Sequence, residues 1–165
     1  MGCEQRLDVE ILAKTQFKED TAVANGSSIA LLAQFEGKSI LLGADAFPSV
    51  ILGTLERVQT SLSSRVKLDA FKLPHHGSRA NISPALLAAV ECERFLVSSS
   101  GKKFRHPNRE SIARSISSQP KKNITFHFNY RSQFNEIWDD ESLMAEYGYA
   151  VAFPIQEKAG LRVEL

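Results

Sequence analysis

An α/β fold on a mixed sheet is predicted by three observations: strand-length apolar runs alternate with helically spaced segments, turn residues punctuate them, and polar motifs fall where strands end. At 165 residues, 43% hydrophobic and 24% charged, the chain suits one globular domain spanning residues 1–165 with its own core. A formal charge of +1 argues neither for nor against an anionic partner. Cys3 and Cys92 form no CxxC, and a pair this sparse points to a reducing compartment. Met1 to Glu10 carries no apolar core of signal length, and no stretch approaches the ~18 apolar residues of a membrane span. The expectation is a cytoplasmic protein with no membrane partner.

Leu7, Val9, Ile11 and Ala13 follow a period of two and predict a half-buried strand, followed by a polar loop from Lys14 to Gly26. Ser27 to Phe35 and Ser39 to Gly43 are β-rich runs joined by Glu36-Gly37-Lys38, a hairpin that delivers Asp45 to a strand end. From Pro48, the recurrence of Ile51, Leu55, Val58 and Leu62 predicts an amphipathic helix, with proline tolerated in its first turn. Val66 to Leu73 predicts a strand ending at Pro74. Ser83-Pro84 reads as an N-cap and first helical residue for a short helix through Leu86, Leu87 and Val90. Arg94 to Ser98 is a strand and Ser99 to Pro107 a polar loop, with Asn108 the cap of a helix carrying Ile112 and Ile116. Asn123 to Phe128 is strand-like, Asn129 to Tyr147 mostly loop with a short helix near Ser142. Tyr149 to Phe153 and Leu161 to Leu165, joined by Gln156 to Gly160, predict a closing hairpin.

The functional signal lies in Gly43-Ala44-Asp45-Ala46 and Leu73-Pro74-His75-His76-Gly77-Ser78-Arg79-Ala80-Asn81, each where an apolar strand ends and the chain turns. In α/β proteins the carboxyl edge of the sheet is where sites are built. With Asn25-Gly26-Ser27-Ser28-Ile29-Ala30-Leu31-Leu32 before them and His106-Pro107 ahead of a helix after them, these motifs form an ordered set across Asn25 to Ser118. That set resembles the C-terminal half of a metallo-β-lactamase-fold hydrolase, in the flavour of the hydrolase domain of bacterial DNA-uptake competence proteins. The resemblance implies one half of an αββα sandwich, a mixed sheet with helices on one face, and a dinuclear metal site along the edge between two sheets.

Carried over by that resemblance, Asp45 matches the carboxylate that bridges the two metals. Either His75 or His76 matches the late histidine ligand, His75 lying nearer the strand end. Such groups suit Zn or Mn, because neutral imidazole and a shared carboxylate leave a cation acidic enough to bring bound water to a pKa of about 7. His106 and Ser78 fall where the family can place a side chain against a phosphate or leaving group. The family's HxHxDHxGG motif, however, has no counterpart in Met1 to Gly26. Catalytic zinc takes about three protein ligands. A site resting on Asp45 and one or two histidines is therefore incomplete. Gly43-Ala44-Asp45 also stands where Thr-Gly-Asp or a similar run is usual.

Plainer readings exist for each residue. Asp45 at a strand-to-helix junction serves equally as a helix cap, His106 as a loop residue setting a helix start, and His127 as an exposed strand residue between Phe126 and Phe128. Between positions 101 and 122, Lys102, Lys103, Arg105, Arg109, Arg114, Lys121 and Lys122 face only Glu110, a cluster that either steers a phosphodiester or forms a solvated face. Trp138 and the phenylalanines are expected in the core.

A half-sandwich leaves the inner sheet face, with Ile29, Leu31, Ile40 and Leu42, without cover, and an apolar patch of that kind marks an interface. The expected partner is a missing N-terminal half or a second copy packed face to face in a homodimer. Two functions follow as expectations: the incomplete part of a metal-dependent hydrolase for phosphodiesters, nucleic acid included, or related esters, and a non-catalytic remnant that self-associates or binds a partner. A ββα-metal nuclease is a poorer match, since no asparagine and second histidine follow the pair at compact spacing.

Overall fold

A computed structural model describes residues 7–58, 65–120, 123–155 and 160–165. Helix α1 (Val9–Ala13) opens the described chain, capped by Asp8, whose carboxylate accepts from the Ile11 N–H at 2.9 Å. The predicted first strand is thus a helix. Val9, Leu12 and Ala13 also satisfy helical spacing, and with the cap that pattern wins, leaving Ile11 69% exposed. The turn α2 (Val23–Gly26) interrupts the segment expected as loop and strand, so β1 starts only at Leu31 and ends at Phe35. β1 pairs antiparallel with β2 (Lys38–Leu42) through the two-residue turn Glu36-Gly37, both at positive φ. This hairpin matches the expectation, because a turn of that kind fits the twist of two strands.

Helix α3 (Pro48–Val58) buries Ile51 and Leu55 as predicted, while Leu62 lies outside the described residues. The stretch expected as one strand, Val66 to Leu73, breaks at Asp69 into β3 (Val66–Leu68) and β4 (Ala70–Lys72). Asp69 causes the break: its carboxylate accepts from the Ser39 N–H at 2.9 Å and its own N–H donates to Ser39 O at 2.9 Å, turning the chain from one sheet into another. Helix α4 (Pro84–Ala88) is capped by Ser83, whose Oγ accepts from Leu86 N at 3.0 Å, as predicted. It stops before Val90, which opens β5 (Val90–Cys92) instead of closing the helix.

β6 (Arg94–Val97), α5 (Arg109–Ser118) and β7 (Ile124–Phe128) follow where expected. Helix α6 (Glu141–Tyr147) is the short helix expected near Ser142, and Gly148 in the left-handed conformation ends it. β8 (Tyr149–Ala152) then runs parallel to β7. The predicted closing hairpin is absent among the described residues: Leu161 to Leu165 forms no strand. The α6 crossover accounts for this. It returns β8 as a parallel edge strand, anchored where Tyr149 Oη donates to Trp138 O at 2.9 Å.

The fold is α/β, with a six-stranded mixed sheet in the order β1-β2-β4-β6-β7-β8 and a parallel β3-β5 ribbon. Register aligns Leu41, Phe71, Phe95, Phe126 and Val151 across one face. All but the half-buried Val151 are buried there with Val9, Ile51, Leu55, Leu86 and Ile112 from the helices. The opposite face aligns Leu42, Lys72, Leu96, His127 and Ala152 and is only partly covered. Toward its β1 edge Leu31 is 53% and Phe35 76% exposed. Phe35 and Phe104 are thus exceptions to the expected phenylalanine core, whereas Trp138 is fully buried. His127 is half-buried rather than exposed, and its neighbourhood lowers its proton affinity, through burial first and Arg94 second. Among the described residues no helix is long and apolar enough to cross a membrane.

Candidate functional site

Three consecutive strand ends build the site. Asp45 follows β2, the turn Pro74–Gly77 follows β4, and the loop from Ser98 to Pro107 follows β6, all at the carboxyl edge. Pro74 packs so closely on Gly43 that a Cβ there would lie 2.8 Å from the proline ring, and His75 N donates to Ala44 O at 2.7 Å. The first two strand ends are thereby locked together. The chain then takes three successive left-handed residues, His75 (φ 45°), His76 (φ 58°) and Gly77 (φ 81°). Left-handed backbone costs a non-glycine residue about 1–2 kcal/mol, and such strain clusters at functional sites.

Both histidines, part-buried, are fixed by the same ring nitrogen. His76 Nδ1 contacts Ser98 O, an acceptor only, so Nδ1 carries the proton. His75 Nδ1 lies 2.9 Å from Asn81 Oδ1, the shorter of its two amide contacts, with Asn25 Nδ2 at 3.4 Å. Asn81 is fully buried, and its Nδ2 is directed at Asp20 Oδ2 (3.2 Å), Asp45 O (3.4 Å) and Ala46 O (3.4 Å), leaving Oδ1 as acceptor for His75. In the neutral form of either ring, that arrangement leaves Nε2 as the free acceptor. A backbone carbonyl or amide oxygen on the far nitrogen is the arrangement that orients histidine ligands.

Asp20 supports His75 from behind, its Oδ2 3.4 Å from Nδ1 and 2.7 Å from Asn25 Nδ2. Burial alone would raise the Asp20 pKa, but hydrogen bonds from Ala22 N, Asn25 and Asn81, with His75 nearby, outweigh it and hold the carboxyl below its ordinary value. Asp20 and Asn25 lie in or beside a segment whose polarity reads only as loop. Asn81 ends the histidine motif, yet nothing in its spacing marks it as the residue that sets a tautomer.

Asp45 is half-buried and is not the cap of α3, because the Ser49 N–H is met at 2.9 Å by the Glu19 carboxylate. Its charge instead acts on Lys72 and His106. Lys72, half-buried on the open sheet face, has its pKa lowered by burial, which Asp45 partly offsets. His106 joins the cluster, its ring 5.4 Å from that of His75 and stacked on Phe104 at 6.1 Å. Its Nδ1 is buried without a hydrogen-bond partner. Ser78, expected against substrate, is instead buried, its Oγ accepting from Ala80 N at 3.2 Å within the turn. Asn108 does precede α5, but its side chain accepts from Arg79 N at 2.9 Å rather than from its own helix. Arg114, expected in the basic cluster, is buried and donates to Arg79 O, Ile82 O and Thr15 O; Lys121 and Lys122 lie outside the described residues.

Burial first, then the neighbouring His75 and His76 rings, pushes the His106 imidazole down to about 4. The unfolded chain takes up that proton near 6.5, so between about 4 and 6.5 it binds more protons than the folded protein, and stability falls as pH drops through that window. The expected loss is up to about 3 kcal/mol. His127 adds to it in the same direction. Urea unfolding at several pH values checks this: His106→Asn should flatten the profile above pH 4, and an unchanged slope would contradict the assignment.

The residues fit a divalent cation only in part. Among the described residues no three His, Cys, Asp or Glu side chains come together closely enough to hold a metal ion. The chain presents oriented imidazoles and a carboxylate along one rim, not a finished coordination shell. No protein-family model matches the chain, and no curated protein or solved structure matches it.

Proposed function

We propose that this chain supplies one half of a metal-dependent hydrolase site for phosphodiesters or related esters. His75 and His76 offer Nε2, Asp45 offers its carboxylate, and the remaining ligands come from a second half packed against the open sheet face. The observation that carries this reading is the anchoring of both imidazoles through Nδ1 on acceptor oxygens, in backbone strained enough to need a reason. Zn or Mn in the completed site would polarise the ester and bring a bound water toward neutral pKa. The chain's own contribution is to anchor two imidazoles through Nδ1 and to keep His106 uncharged beside them, which lowers repulsion toward an incoming cation.

Calorimetric titration of the isolated protein with Zn²⁺ tests this. A weak, saturable site is expected, lost in both His75→Ala and His76→Ala, with little hydrolysis of bis(p-nitrophenyl) phosphate until the second half is supplied. No saturable binding by the wild type, or binding unchanged in both variants, would contradict the reading.

The exposed Leu31 and Phe35 favour a second reading, a non-catalytic module that uses the open face to self-associate or bind a partner. Light scattering separates the two. A dimer dissolved by Phe35→Glu with no cation binding supports the module, and a monomer at high concentration removes self-association.

A further inference from the structure

Beside the histidines the loop after β6 forms a cleft of about 280 Å³, bordered by His76, Ser100, Lys102, Lys103, Phe104 and Tyr130. The loop is braced by its own hydrogen bonds: Ser99 Oγ donates to His106 O at 3.0 Å, Arg105 N to Gly101 O at 3.1 Å, and Ser99 N to Asn129 Oδ1 at 2.8 Å. Arg105 takes a left-handed φ of 57° to complete it. Such a loop presents its side chains in a fixed arrangement.

What it presents is unusual for a solvated loop. Lys102, Lys103, Phe104 and Arg105 are exposed in succession, with the Phe104 ring 58% and Tyr130 49% exposed. His106 supports Phe104 from within the cluster at an interplanar angle of 29°, and Lys103 Nζ lies over the same ring at 4.9 Å, where an incoming base would displace it. Exposed aromatic faces beside cations are the elements that bind unpaired bases and their phosphates without sequence preference. The volume, about 280 Å³, lies just below the ~300–1,000 Å³ range for small-molecule sites, which suits one base rather than a whole ligand. A larger cleft of about 680 Å³ lies at the opposite edge of the sheet, where Lys38 and Asp69 are paired at 3.1 Å and leave less charge for a ligand.

We infer that this cleft is a stacking subsite for an unpaired nucleotide, with Phe104 and Tyr130 taking a base and Lys102 and Lys103 the flanking phosphates, which brings the strand against His76. The inference deepens the hydrolase reading and rests on it for the role of the strand as substrate; binding itself needs no metal. An acidic peptide offers charge but no planar ring, and a duplex keeps its bases stacked on one another.

Fluorescence anisotropy with a labelled oligothymidylate of about 12 nucleotides, in EDTA, tests the subsite apart from any metal chemistry. Phe104→Ala and Tyr130→Ala should each weaken binding by about five- to a hundredfold, the range for loss of one stacked base. Lys102→Glu with Lys103→Glu should weaken it further and flatten its salt dependence, whereas the charge-matched Lys14→Glu with Lys67→Glu should not. Equal affinity for a duplex of the same length, for an acidic peptide, or for both aromatic variants would overturn the inference. Oligonucleotide binding without Zn²⁺ binding would leave the subsite standing and remove the hydrolase.

Discussion

Replacing Arg114 with methionine is expected to cost about 3 kcal/mol of stability or more, an effect out of proportion to one arginine on a helix that reads as charged. The guanidinium donates to Arg79 O at 2.8 Å, Ile82 O at 3.1 Å and Thr15 O at 3.0 Å, and it lies over the Phe17 ring at 5.5 Å. Methionine keeps the stem's packing but leaves three carbonyls without these donors, each worth about 1–3 kcal/mol where it is buried. Lysine should recover only part of the loss, because one ammonium cannot span the same fork. For a chain of this length the midpoint of thermal unfolding should fall by roughly 6–12 °C. The tie matters to the site as well as to the fold. Arg114 joins the segment after α1 to the turn that follows the histidines, so its removal should loosen the segment holding Asp20 and Asn81. An unchanged melting temperature would show that the three carbonyls find water instead.

Gly77→Ala should be nearly as damaging, at about 2–4 kcal/mol. Its φ of 81° penalises any Cβ, and the added methyl would lie 2.8 Å from Pro107 Cβ. Two separate terms are at work, backbone strain and overpacking. Gly37→Ala isolates the first, since φ is 78° there but nothing lies within 4 Å of the new methyl, and about 1 kcal/mol is expected. Relief at Gly77 would have to pass through His76 and His75, already left-handed, or through Pro107 at the start of α5. Comparable urea midpoints for the two alanine variants would contradict the close approach.

Much of the scaffold was legible because local chemistry and tertiary environment agree. Ser83-Pro84 caps α4, Glu36-Gly37 turns the hairpin, and Phe126 and Phe128 share the buried face of β7. Errors fell where a short segment satisfies two periods or a single side chain redirects the chain. Leu7 to Ala13 alternates like a strand, yet Asp8 caps it as a helix. Val66 to Leu73 is apolar enough for one strand, yet Asp69 bonds Ser39 and divides it. The site divides similarly. Asp45, His75 and His76 stand out because they sit in motifs at strand ends, and the structure sets those strand ends along one sheet edge. Asp20 and Asn25 could not, since their part depends on a loop folding back across some fifty positions to reach His75. Ser78 and Arg114 were misplaced for one reason: composition says what a side chain can do, and only packing says whether it faces water.

The central claim is that His75 and His76 are held with Nδ1 protonated and Nε2 bare before any cation arrives. Free imidazole favours the opposite tautomer, so the claim is visible directly in long-range ¹H–¹⁵N correlation spectra of the metal-free protein near neutral pH. Both rings should show a protonated Nδ1 and an unprotonated Nε2, and Asn81→Ala should release His75 alone. Rings protonated at Nε2, or exchanging between tautomers as in a free peptide, would contradict the account.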